Sequence, residues 1–131
     1  MIVDTSALLA ILKREDDAEV YVRALAASTS SLLSAGSLLE TSIVVDANDD
    51  PVLSARLDQL IATAQITVEP VTQPQAQIAR QAYRDFGKGS GHPAGLNYGD
   101  CFTYALAKST GHPLLFKGKD FGYTDLASAL P

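Results

Sequence analysis

MIVDTSALLAIL, residues 1–12, carries three signals in one stretch. Met1–Asp4 is short and apolar, as a buried strand is. Ser6–Leu12 reads as a helix. Asp4 stands at the junction between them. An aspartate there can cap the helix by accepting from a free backbone N–H. In an open α/β sheet the same place, just past the carboxyl end of a strand, faces the crevice where ligands bind.

The alternation of strand and helix continues outward. Ala18–Ala27 is a second predicted helix behind Asp16-Asp17, and Ser31–Ser34 a short strand. Leu38–Ala47 is a helix, with Ser37 and Glu40 in the S-x-x-E pattern of a capping box. Asp50-Pro51 opens another helix to about Ala64, Ile66–Val71 is a strand, and Gln75–Phe86 has apolar residues at helical spacing. A glycine-rich loop runs through Gly87, Gly89, Gly91 and Gly95. Asn97 caps a helix through Cys101, Phe102, Ala105 and Leu106 that stops at Gly111. Pro113–Phe116 is a buried strand, Lys117–Phe121 a turn, and the tail adds a last short helix or strand. This order predicts an α/β fold with a mostly parallel sheet, residues 1–131 forming one domain with no internal repeat or linker.

Asp4, Glu40, Asp100 and Asp120 all fall at junctions of these elements. Each has a local explanation: a cap for Asp4, the capping box for Glu40, helix-dipole compensation for Asp100 and turn propensity for Asp120. Together they converge on one sheet edge, where four carboxylates would repel one another. A hard divalent cation, Mg²⁺ or Mn²⁺, relieves that repulsion through carboxylate oxygens, water and substrate phosphate. This is the chemistry of a metal-dependent nuclease or phosphatase. Other motifs are weaker. Cys101 reads as a small core residue. His92 and His112 lack zinc-site spacing. The glycine-rich loop lacks the P-loop pattern, and Ser6, Ser37 and Ser42 lack a nucleophile elbow.

Bulk properties narrow the setting. The 131 residues are 47% hydrophobic, enough for a sizeable core. One cysteine excludes an internal disulfide and fits a reducing, cytoplasmic location. No basic region or long apolar run follows Met1, so neither a signal peptide nor a membrane span is expected. Net charge is −5, yet it is unevenly spread. Residues 15–69 hold ten acids and two bases, whereas residues 80–119 hold six bases and two acids. That asymmetry suits an anionic partner on one side. Arg84, Lys88, Lys117 and Lys119 are the candidates for gripping it.

IVDTSALLAIL at 2–12, SLLETSIVV at 37–45 and LNYGDCFTYALAKSTGHPLLFKGKDF at 96–121, followed by TDLA, resemble the PIN-domain ribonucleases. The likeness is closest to the VapC toxins of type II toxin–antitoxin pairs. It implies a three-layer α/β/α fold and a Mg²⁺- or Mn²⁺-dependent endoribonuclease that cuts structured RNA such as tRNA. It implies a homodimer and a cognate VapB-like antitoxin that covers the active site. Asp4, Glu40, Asp100 and Asp120 match the family's acidic set, Asp4 and Asp100 most clearly. Lys117 and Gly118 occupy the places before Lys119-Asp120, so Asp125 stands in reserve as the fourth acid, and one or two ions could act. The rival readings are a Mg²⁺-dependent phosphohydrolase of small substrates and a non-catalytic protein-binding module.

Overall fold

A computed structural model describes residues 1–131. Four parallel strands form one sheet: β1 (Ile2–Val3), β2 (Ser31–Ser34), β3 (Ile66–Glu69) and β4 (Leu114–Leu115), in the order β3-β2-β1-β4. Ile2 is in register with Leu32 on one side and Leu114 on the other. The chain winds from β1 out to β3, then returns to lay β4 against the free side of β1. The switch of direction lies between β1 and β4, where the Asp4 N–H donates to the Leu115 carbonyl at 3.0 Å. The tail extends this side through a parallel bridge between Ser128 and Leu114.

Six helices flank the sheet: α1 (Thr5–Leu12), α2 (Ala18–Ala27), α3 (Ala35–Asp46), α4 (Pro51–Thr63), α5 (Gln73–Phe86) and α6 (Tyr98–Thr110). Alternation along the strands builds two cores. Ile2 and Leu114 turn towards α5 and α6, packing with Ala82, Tyr104 and Leu106. Val3 and Leu115 turn the other way, towards Leu8, Tyr21 and Leu25 of α1 and α2. The result is the expected three-layer α/β/α arrangement. No helix is long and apolar enough to cross a membrane.

Local chemistry sets most of the helix ends. Asp50 caps α4 by accepting from the N–H groups of Val52 and Leu53, with Pro51 in the first turn. Gly111, at φ 74°, ends α6 in the left-handed region that glycine tolerates. One expectation fails. Ser37 and Glu40 do not form a capping box. Helix α3 begins at Ala35, and Ser34 is its cap, accepting from the Gly36 N–H. Gly36, in the first turn of α3, lets Phe102 close over it. A Cβ at Gly36 would lie 2.5 Å from the Phe102 ring. The capping box belongs instead to Asn97 and Asp100 at the start of α6. Strand β3 also ends at Glu69, short of Val71.

Candidate active site

Asp4 leaves β1 almost fully buried, 4% exposed, with its carboxylate heavily bonded. Oδ2 accepts from the Ser6 N–H at 3.0 Å and the Ser6 hydroxyl at 2.6 Å. Oδ1 accepts from the Thr103 hydroxyl at 2.7 Å. The cap reading of Asp4 is therefore correct, and it does not compete with a second role: one lone pair of Oδ1 stays uncommitted.

Asp100 lies in the first turn of α6, where its Oδ2 accepts from the Asn97 N–H at 3.0 Å. Burial pushes its carboxyl up to about 6. The Asn97 bond opposes this, and the negative charges of Asp4, Asp120 and Glu40 add to it. Four segments of the chain thus bring their acids into one electrostatic neighbourhood. Losing the capping-box role frees Glu40, which lies past the first turn of α3, to reach α6. A Cβ on Gly99 would sit 1.7 Å from Glu40 Oε2, so the missing side chain at Gly99 is the space Glu40 fills.

Asp120 opens the short 3₁₀ turn Asp120–Tyr123 after β4. Asp125 is held elsewhere: it accepts from the Tyr104 hydroxyl and pairs with Lys108, which keep its carboxyl below the usual range. Asp120, not Asp125, lies in the field of Asp100.

These acids suit a hard divalent cation. All donors are oxygens, and a raised Asp100 among like charges is the condition a cation relieves. No three acidic, histidine or cysteine side chains stand together as a ready ligand cluster. That suits an ion bound by one or two carboxylates and completed by water and phosphate.

The basic candidates separate. The Lys117 ammonium is paired with Glu15 and Asp17, and its backbone N–H donates to Ser6 Oγ at 2.9 Å. Lys117 ties the loop after β4 to the α1–α2 connection, with its charge already matched. Arg84, Lys88 and Lys119 are exposed and form no ion pair. Cys101 is buried, its thiol pushed up to about 11 by burial and then by the Asp100 charge, so it is a poor nucleophile.

Ribonuclease VapC28 of Mycobacterium tuberculosis is 59% identical over 130 residues, which are 99% of this chain and 98% of that protein. The PIN domain family profile matches residues 1–126. This chain belongs to the VapC family of PIN-domain ribonucleases. Two solved structures share the fold of this VapC-family protein. The crystal structure of Mycobacterium tuberculosis VapC20, described as a sarcin-ricin loop cleaving toxin, superposes with a TM-score of 0.74 at 19% identity, covering 96% of this chain and 95% of its own. FitAcB from Neisseria gonorrhoeae gives 0.69 at 20% identity, covering 97% and 94%.

Sequence reading of the VapC-family site missed Gly99 and Thr103. Nothing in a single sequence marks Gly99 as the space for a glutamate. Thr103 was within reach, since it lies three residues after Asp100 and so shares its side of α6.

Proposed function

We propose that this VapC-family endoribonuclease toxin cuts structured RNA, such as tRNA, with Mg²⁺ or Mn²⁺ held by Asp4 and Asp100 and aided by Glu40 and Asp120. The observation that carries this reading is that Asp4, Glu40 and Asp120 all bear on the half-buried Asp100 carboxyl, with Glu40 seated in the space left by Gly99. A bound cation supplies a Lewis acid that neutralises charge on the phosphodiester and makes water a better nucleophile. Asp4, fixed by Ser6 and Thr103, offers one free lone pair on Oδ1. Asp100 must give up its proton to serve, which ties metal binding to pH. Glu40 and Asp120 add negative charge around Asp100, where they can orient water bound to the ion. Membership among ribonucleases removes the support for the small-substrate phosphohydrolase and the non-catalytic module.

Asp4→Asn should lower cleavage of a folded RNA by at least about 100-fold, because the amide keeps an acceptor but loses the charge. The melting curve should remain cooperative, and the wild-type products should carry 5′-phosphate ends. Near wild-type cleavage by folded Asp4→Asn would remove Asp4 from the site.

RNA grip is assigned to Lys119, Lys88 and Arg84 rather than to the paired Lys117. In the Asp4→Asn background, Lys119→Ala should weaken RNA binding and reduce the salt slope by about 0.7–0.9 for each phosphate left without its cation. Lys117→Ala should leave that slope close to unchanged. The opposite ranking would show that the Glu15–Asp17 pairing yields to RNA.

A homodimer is supported by one surface. Leu39 (62% exposed), Ile43 (60%) and Tyr98 (79%) line up across α3 and α6 beside Phe102. They continue into a groove of about 460 Å³ between α5 and α6. An apolar face of this kind marks an interaction site. Ile43→Asp with Leu39→Asp should shift the protein to the mass of one chain in light scattering, and an unchanged mass would place the dimer contact elsewhere. In the cell, a VapB-like antitoxin silences the nuclease, with a basic side chain suited to the acidic site.

A further inference from the structure

Thr103 does not make the back-bond that helical hydroxyls commonly make. Thr41, Ser42 and Thr110 each donate back to the carbonyl four residues earlier, as such side chains commonly do. Thr103 instead sends its only proton across to Asp4 Oδ1, from a position 1% exposed among Cys101, Tyr104, Ala105 and Leu106. An apolar residue would fill that place without the desolvation a hydroxyl suffers.

The direction of the neighbouring bond follows. Because Thr103 has spent its proton on Asp4, the 3.0 Å contact with Ser37 must run from the Ser37 hydroxyl to Thr103 Oγ1. Ser37 is fully buried. Its own carbonyl accepts from Thr41 at 2.8 Å and Thr5 at 3.3 Å, which anchors it between α1 and α3. A directed chain therefore runs from Ser37 through Thr103 to Asp4, linking α3, α6 and β1. On the opposite oxygen, Ser6 occupies both lone pairs of Oδ2. Of the roughly four acceptor sites of a carboxylate, the single one left is on the oxygen that Thr103 holds.

We propose that Thr103, backed by Ser37, is a positioning residue: it fixes the Asp4 carboxylate so that one lone pair of Oδ1 is presented to the cation. The inference rests on Asp4 being a metal ligand. Partners that orient a ligand are worth about 10–100-fold in metal affinity or activity. Thr103→Val keeps the shape and removes the donor, Thr103→Ser keeps the donor, and Ser37→Ala leaves Thr103 without its backing.

The test is Mn²⁺ titration of the purified proteins, followed by calorimetry, beside thermal melting without metal. Thr103→Val should bind Mn²⁺ at least about 10-fold more weakly while still unfolding in one cooperative transition. Thr103→Ser should restore binding, and Ser37→Ala should fall between Thr103→Val and wild type. Wild-type affinity in folded Thr103→Val would overturn the proposal, and so would a Thr103→Ser affinity as low as that of Thr103→Val, since that would make the role one of packing. Should Thr103→Val not fold, unchanged affinity in Ser37→Ala overturns it instead. A wild-type protein that binds no Mn²⁺ removes the metal reading of Asp4 and this inference with it.

Discussion

Asp100→Asn is expected to abolish cleavage and at the same time raise the melting temperature of the metal-free protein at pH 7. Unfolded, the Asp100 carboxyl titrates near 3.8; folded, it titrates at about 6. Between those values the unfolded chain has released its proton while the native carboxyl still holds it. The contribution of Asp100 to stability is therefore fully present below about 3.8 and is lost as pH rises through about 6. At pH 7 the native state carries the whole penalty of a half-buried charge facing Asp4, Asp120 and Glu40. Asparagine removes that charge and keeps an oxygen to accept from the Asn97 N–H, so the capping box survives. Discounted for partial exposure, the gain is about 1–2 kcal/mol, or roughly 3–8 °C. Melting curves in EDTA from pH 4 to 8 check this: the variant should gain most at pH 7 and nothing near pH 4. Mg²⁺ or Mn²⁺ should stabilise the wild type and not the variant. A variant that melts lower than wild type at pH 7 would mean the four charges are not mutually repulsive in the native state. Cleavage by the wild type should fall as pH drops below about 6, because protons then compete with the cation for Asp100.

Gly99→Ala should behave as a Glu40 variant with residue 40 untouched. The new methyl would occupy the place of Oε2, 1.7 Å away, so the carboxylate must swing out. Glu40 is the movable end of a flexible side chain, and alanine suits the first turn of a helix better than glycine does. Stability should therefore change by less than about 1 kcal/mol, while cleavage falls by about 10–100-fold. Adding Glu40→Gln to Gly99→Ala should cost little more, since residues acting as one unit are not additive. Additive losses in the double variant would show that Gly99 matters for something other than Glu40.

The contrast between those two residues shows where sequence reading reaches. Asp100 was legible because charge, helix start and sheet-edge position coincide within a few residues. The same is true of α2 and β2, whose ends fall where composition puts them. Glu40 was found from its place at an element junction and matched by family resemblance, with a wrong local reason attached. The S-x-x-E pattern is real, but Ser37 is drawn into the core by Thr103, and Ser34 takes the cap three residues earlier. The error follows from Gly36, whose tolerance inside a helix depends on Phe102, sixty-six residues away. Gly99, the Ser37–Thr103 bond and the pairing of Lys117 with Glu15 and Asp17 are of the same kind. Each is a contact between distant segments, and a local pattern carries no information about what arrives from elsewhere.

The order in which the sheet is assembled also has a consequence in time. Strand β1 is translated first, but its partner β4 comes more than a hundred residues later, and Asp120 follows still later. At a synthesis rate of about 5–20 residues per second, Asp4 waits several seconds or more before the Leu115 carbonyl can receive its N–H. Until then the acids belong to an unfinished sheet and share no common site. The nuclease thus stays incomplete through most of its synthesis, and an inhibitor need only be present once β4 and Asp120 have emerged.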